Sequence, residues 1–374
     1  MTATTTRLMM VGGFLGAGKT TAILRLAAWL TARGKRVGLV TNDQGGALVD
    51  TALAAASHVP VEEIVGGCFC CRFTSLVEAA ESLVQETAPD VLIAEPVGSC
   101  TDLVATVSLP LEQLHGDRFT VAPMSVVVDP LRAERVLGLA AARLSEHVGY
   151  IYRKQLEEAE IVVLNKCDLV TDDRRAALEA AIETVNPRAT ILACSARAGT
   201  GLDPWFTRLL ADASRAAAIT DIDYDRYALG ESLLGWLNAE VRIGAADAAF
   251  AAEFDGNETL LAVLTGIRDA LAADGHEIAH LKGTLALEGD PYELAAANLV
   301  RTADTPVLSH RLAEPLDVGR LLVNLRAEAD PAVLERALVG AVAACAAGRP
   351  HETLHLEHFR PGRPVPTHRL AARP

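Results

Sequence analysis

The chain has 374 residues, enough for two or three domains with cores of ordinary size. Its 34 basic residues stand against 48 acidic ones, a net charge of −14, which argues against a nucleic-acid partner, since that needs a basic face. Seven cysteines, three of them crowded between positions 68 and 71, make no disulfide framework and suggest a reduced compartment with a metal or reactive-thiol site.

The first residues, Met1 to Arg7, lack the apolar core of a signal peptide. No uninterrupted apolar run reaches the ~18 residues of a membrane span. The expectation is a cytoplasmic protein with no membrane and no nucleic-acid partner. Leu8 to Val11 reads as a buried strand, and Thr20 to Arg33 has helical spacing with Gly34 as its stop. Between them, Gly13-Phe14-Leu15-Gly16-Ala17-Gly18-Lys19-Thr20-Thr21 fits G-x-x-x-x-G-K-[ST], a phosphate-binding loop. Gly13, Gly16, Ala17 and Gly18 supply inward-facing N–H groups, and the helix N-terminus adds partial positive charge. Lys19 serves the β- and γ-phosphates, while the Thr20 hydroxyl, with Thr21 behind it, is the expected Mg²⁺ ligand.

Arg36 to Thr41 is a second strand, ending in Asn42-Asp43-Gln44-Gly45-Gly46. Asp43 stands where a loop leaves a parallel strand, so it can reach Mg²⁺ or orient water. Val59 to Val65 leads into Gly66-Gly67-Cys68-Phe69-Cys70-Cys71. Thiolates of Cys68, Cys70 and Cys71 suit Zn²⁺ or another soft divalent ion but leave a tetrahedron one ligand short. Asp90 to Glu95 is the next strand. Glu95 at its end is placed for a Mg²⁺-linked water, and the Gly98 N–H for a γ-phosphate. Cys100 reads either as a fourth thiolate or as a small core residue.

Ser125 to Asp129 is another strand, and a helix-like stretch from Leu131 to Glu158 leads to Ile161–Leu164. Asn165-Lys166-Cys167-Asp168 then fits N-K-x-D. Asp168 can accept from guanine N1–H and N2–H₂, donors that adenine does not offer in that geometry, and each charge-assisted bond is worth about 1.5–3 kcal/mol. The Lys166 stem can cover the base. After a helix over 173–185, the strand Thr190–Cys194 ends in Ser195-Ala196, whose backbone can meet guanine O6.

Four motifs over about residues 8 to 200, the Gly13–Thr21 loop, Cys68-Phe69-Cys70-Cys71 as C-x-C-C, Glu95–Gly98 as E-x-x-G and Asn165–Asp168 as N-K-x-D, resemble the CobW-like GTPases, a class that also holds the urease and hydrogenase nickel-insertion GTPases. The resemblance implies GTP and Mg²⁺, a slow intrinsic GTPase, and a metal at C-x-C-C switched by nucleotide state. Catalysis would rest on Lys19, Thr20, Asp43 and Glu95, without a single general base. It further implies a client protein, which could be a metalloenzyme, while dimerisation across the nucleotide face is common in the class. Asn42-Asp43-Gln44-Gly45 departs from the family's usual Asn-Glu-Phe/Tyr-Gly, and Glu95-Pro96-Val97-Gly98 from Glu-Thr-Ser-Gly.

The fold expected is α/β: a P-loop GTPase domain over 1–220 with a mainly parallel sheet, then a smaller α+β, ferredoxin-like domain over 221–374. The acidic stretch Thr220 to Asp225 is the linker. Strands are expected at 235–243, 277–287, 298–302, 320–328 and 352–359, with helices from Asp255 through Leu271 and from Pro331 to Ala347. His280 and Lys282 read as a solvated sheet face in preference to a ligand contact. His351, His355 and His358 are awkward as one metal site, because strand alternation turns His358 away. The tail from Arg360 is basic, proline-rich and extended. The leading functional reading is a GTP-hydrolysing metallochaperone that hands a soft metal to a client. The alternatives are a GTPase that loads or repairs a corrinoid-dependent or other metalloenzyme, with structural zinc, and a non-catalytic zinc sensor or buffer.

Overall fold

A computed structural model describes residues 5–46, 48–140, 145–214, 219–244, 253–346 and 348–370. The chain forms two units. The first comprises residues 1–44, 59–230 and 363–374, the second residues 45–58 and 231–362.

The first unit is built on eight strands: β1 Thr6–Gly12, β2 Val37–Asn42, β3 Val61–Ile64, β4 Val91–Glu95, β5 Phe119–Val121, β6 Ser125–Val128, β7 Ile161–Leu164 and β8 Thr190–Ala193. They pair in parallel in the order β3-β2-β4-β1-β6-β7-β8, with β5 alongside the start of β1. Val91-Leu92-Ile93-Ala94 and Ile161–Leu164 are buried throughout, as parallel strands covered on both faces must be. The central β1 therefore presents its C-terminal end to the loop after it, where α/β sheets of this kind bind ligands.

Helices over Lys19–Thr31, Phe73–Thr87, Leu109–His115, Glu146–Glu158, Asp172–Val185 and Asp203–Ala211 belong to this unit. The stretch expected as one helix from Leu131 to Glu158 is broken. Pro130–Leu137 ends at Gly138, whose φ of 80° terminates it, and Glu146–Glu158 starts again from Ser145, whose hydroxyl accepts from the Val148 N–H. Residues 141–144 of that expected helix lie outside the described residues. The acidic linker also differs, since Tyr224–Ser232 is helical.

The second unit holds β9 Gly235–Ile243, β10 Ile278–Leu287, β11 Asp290–Leu299, β12 Val307–His310, β13 Gly319–Ala327 and β14 His351–Phe359. All pairings are antiparallel, in the order β12-β11-β10-β13-β9-β14. Strands β9, β10, β13 and β14 with helices Gly256–Ala273 and Pro331–Cys345 make a ferredoxin-like βαββαβ, widened at one edge by the β11–β12 hairpin. The strand expected near 298–302 is the end of β11, which begins eight residues earlier, after the turn at Gly289. Asp255 caps the first helix by accepting from Asn257 and Glu258, and Asp330 caps the second. Ala347, the expected end of that second helix, lies outside the described residues.

Both helices pack on one face of the sheet, against Leu237, Val241, Leu281, Leu285, Leu321 and Leu325. The other face receives residues 45–58, with the helix Val49–Ala56. Asn324 Oδ1 accepts from the Val49 N–H at 2.9 Å, and Glu357 Oε1 from the Gly46 N–H at 2.6 Å. Asn238 joins the two, donating to Glu357 and accepting from Asn324 at 3.1 Å each. Lys282, expected on a solvated face, is paired with Asp50. Helix Val49–Ala56 covers that part of the sheet, which an alanine-rich stretch gave no reason to expect.

Candidate functional site

The loop after β1 turns into helix Lys19–Thr31 through Gly18, at φ 93°. A Cβ on Gly18 would stand 2.6 Å from Asn165 Nδ2, so glycine there lets N-K-x-D close on the loop. Asn165 Nδ2 donates to Ala17 O at 2.9 Å, and its Oδ1 accepts from the Ala196 N–H at 2.8 Å. Lys166 Nζ donates to Gly16 O and to Asp129 Oδ2, both at 2.7 Å. Burial alone would raise the Asp129 carboxyl, but the Lys166 ammonium and the Arg132 N–H outweigh it and hold it below its ordinary range. Asp168, next to these anchors on a short 3₁₀ turn, is exposed. Ser195 is buried, and its N–H donates to Thr200 O. Asp129 reads in sequence only as the end of a strand; it is the anchor of Lys166 and also caps the helix Pro130–Leu137.

Lys19 and Glu95 are buried where β1 and β4 end side by side. The Thr20 hydroxyl donates to Glu95 Oε1 at 3.0 Å, and Lys19 Nζ lies 4.0 Å from the same oxygen. A hydroxyl and a carboxylate this close form an oxygen donor set that suits Mg²⁺. Gly98 lies against the loop: a Cβ there would come within 3.0 Å of the Leu15 nitrogen and 3.1 Å of Lys19 Nζ. Asp43 follows β2. Its N–H donates to Ile64 O at 3.1 Å and its carboxylate accepts from the Gln44 N–H at 2.7 Å.

The cysteine loop is fastened by a residue that sequence reasoning passed over. Asn42, the last residue of β2, donates to Gly67 O at 2.8 Å and Ile64 O at 3.1 Å, and accepts from the Phe69 N–H at 2.9 Å. In sequence Asn42 looked like the start of a polar turn. The sulfurs of Cys68, Cys70 and Cys71 all lie within 4.8 Å of one another. Cys68 to Cys70 is 2.7 Å, Cys68 to Cys71 3.4 Å and Cys70 to Cys71 3.7 Å. The helix Phe73–Thr87 starts directly behind them, and its N-terminus favours negative charge on sulfur. Hydrogen bonds with Cys100, Cys70 and Cys71 hold the Cys68 thiol well below its ordinary value; contacts with Cys100, Cys68 and Cys71 together with burial push Cys70 up, and the contact with Cys68, then burial, pushes Cys71 to about 11. Three convergent sulfurs fit a soft divalent ion.

Residues 7–193 match the CobW/HypB/UreG nucleotide-binding domain. The chain belongs to the CobW/HypB/UreG family. It is 33% identical over 178 residues to the zinc chaperone YeiR of Escherichia coli (strain K12), covering 46% of this chain and 50% of that protein. It is 27% identical over 214 residues to zinc-regulated GTPase metalloprotein activator 1 of Dictyostelium discoideum, covering 49% of this chain and 44% of that one. The chain thus spans about half the length of the curated relatives it matches. The structure of HypB from Helicobacter pylori in complex with nickel covers 58% of this chain and 90% of its own at 19% identity, with a TM-score of 0.42.

Outside the part matched by CobW/HypB/UreG, residues 363–370 return to the first unit. The tail expected to be merely extended is pinned along the cysteine loop. The Val365 N–H donates to Cys71 Sγ at 3.2 Å and the Thr367 N–H to Cys70 O at 3.1 Å. Arg369 pairs with the buried Asp102 at 2.7 Å, and the Leu370 N–H donates to Ala105 O at 3.0 Å. In the second unit of this CobW/HypB/UreG member the three histidines turn to separate partners. His351 meets Arg349 O, His355 meets Glu357 and His358 meets Glu335. No helix among the described residues is long and apolar enough to cross a membrane.

Proposed function

We propose that the chain is a GTP-binding and GTP-hydrolysing metallochaperone that carries zinc, or another soft divalent ion, on Cys68, Cys70 and Cys71 and passes it to a client protein. The observation that supports this most is Asn42. It closes β2 at the phosphate end of the sheet and holds both Gly67 and Phe69 of the thiol loop. A nucleotide that reorders the end of β2 therefore reorders the thiols. The names of the two relatives, a zinc chaperone and a zinc-regulated GTPase, favour zinc as the cargo.

In this reading the N–H groups of Gly13 to Thr21 and the Lys19 ammonium bind the triphosphate. Asp168 accepts from the guanine edge, while Asn165 and Lys166 brace the loop beneath it. Thr20 and Glu95 would hold Mg²⁺, which when bound neutralises charge on the β- and γ-phosphates. Asp43 and Gly98 meet the γ-phosphate side and sense its loss. With positioning and charge as the main catalytic means, unassisted turnover is slow.

The test is zinc affinity by competition titration, with a GTP analogue and with GDP, on the full chain and on Cys70→Ser and Cys71→Ser. The expected result is at least a ~10-fold difference between nucleotide states, about 1.4 kcal/mol of coupling, and collapse of affinity in both variants. Equal affinities in the two states would sink the chaperone reading and leave zinc as a structural ion.

A further inference from the structure

Cys100 lies five residues beyond the end of β4 and is 1% exposed. Its thiol is hydrogen-bonded to those of both Cys68 and Cys70. Cys68, Cys70 and Cys71 come from one loop, and Cys100 comes from another. Sulfurs around a tetrahedral zinc, each about 2.3 Å from it, stand roughly 3.8 Å apart. The three loop sulfurs, at 2.7, 3.4 and 3.7 Å, are already at or inside that spacing. Cys100 reaches two of them, on a backbone held in place. Its N–H donates to Val97 O at 2.9 Å, and Gln155 Nε2 donates to Cys100 O at 2.8 Å and to Gly98 O at 3.0 Å.

We propose that Cys100 is the fourth ligand, so that the chain holds a four-thiolate site for a zinc-like divalent ion, formed by Cys68, Cys70, Cys71 and Cys100. The inference rests on the metal reading of the cysteine loop and completes it. A small buried residue could fill the space by packing alone, but three convergent loop thiols with a fourth against two of them form a donor set of the right softness and number. Charge on the set is offset from two sides, by the start of helix Phe73–Thr87 and by the Val365 N–H on Cys71. The ligands also differ in attachment. Three are held through Asn42 at the end of β2, and the fourth is two residues from Gly98, which lies against Lys19. The ligand set is drawn from two loops, one after β3 and one after β4.

The experiment uses the full chain, reduced and freed of metal, loaded with one equivalent of Co²⁺ or Zn²⁺. Cobalt–thiolate charge-transfer absorption, which grows with the number of thiolates, should fit four sulfurs in the wild type and three in Cys100→Ser. Zinc-edge X-ray absorption of the unmutated chain should give four sulfur neighbours, a readout independent of any variant's folding. Zinc affinity should fall at least ~100-fold in Cys100→Ser and in Cys100→Ala, more than the 10–100-fold of an outer-shell partner, and not in Cys345→Ser. Three sulfurs and a lighter atom in the wild type, or affinities in both Cys100 variants within about threefold of wild type, would overturn the fourth ligand while leaving the loop's metal reading intact. A wild-type chain that binds neither ion would overturn both.

Discussion

In the first unit four buried polar side chains stand where parallel strands end. Asn42 closes β2, Glu95 closes β4, Asp129 follows β6 and Asn165 follows β7. In the second unit, Asn238 and Asn324 sit mid-strand and face each other across β9 and β13. The first group braces the loops that carry the proposed nucleotide and metal sites, and each member holds the backbone or side chain of another loop. The second group holds a single segment, residues 45–58, to the outer face of a sheet whose other face is leucine core. The two kinds of buried polarity carry different costs when broken. In the first unit the expected loss is of the proposed chemistry, and in the second of packing and order.

Lys19→Ala tests the first half of that contrast most severely. GTP hydrolysis should fall by ~100-fold or more, the scale of one lost charge-stabilising donor, with circular dichroism unchanged. Turnover within about threefold of wild type would remove the phosphate loop from the mechanism. Glu158, the last residue of the helix before β7, gives a case where buried polarity costs stability. It is fully buried beneath residues 101–104, accepting from Thr101 at 2.9 Å. Burial first, and then the neighbouring Asp102 carboxyl, push it from 4.5 up to about 8. The folded chain thus keeps a proton that the unfolded chain releases, so this group's contribution is full below pH 4.5 and is lost as pH rises to about 8. Stability should drop by at most about 1.4 kcal/mol per pH unit across that window, and Glu158→Gln should flatten the slope. Urea melts at several pH values decide it, and an unchanged slope in the variant rules the group out. The smallest effect is expected from Asn324→Ala, which strands the buried Val49 N–H. It should cost about 1–3 kcal/mol of stability while GDP affinity stays near wild type. If GDP affinity falls instead, the segment 45–58 belongs with the chemistry and the contrast fails.

Much of the first unit was legible because its motifs have fixed spacing and chemistry. G-x-x-x-x-G-K-T, N-K-x-D and three crowded cysteines each demand a strand end or a tight loop. What escaped were contacts that no spacing encodes. Asn42 is followed by Asp43 and two glycines and so resembles a turn, yet its amide reaches 25 residues ahead to Gly67. Val49–Ala56 is alanine-rich and shows nothing of its place on a sheet assembled from residues beyond 235. In β11 the run Ala295-Ala296-Ala297 lacks the alternation that marks a strand, so its start was misplaced. The return of Arg363 to Leu370 could not be read, because a proline-rich stretch signals extension and not its destination.

The hydrogen bond from Val365 to Cys71 makes one backbone amide a reporter on the thiols. When a sulfur exchanges its proton for a cation, an N–H pointed at it feels the change in charge directly. In isotope-labelled protein the Val365 resonance would therefore register the proposed occupancy without any probe attached to a cysteine. With a magnetically active cadmium isotope in place of zinc, scalar coupling through Cys71 sulfur to that amide proton would reveal the ion itself.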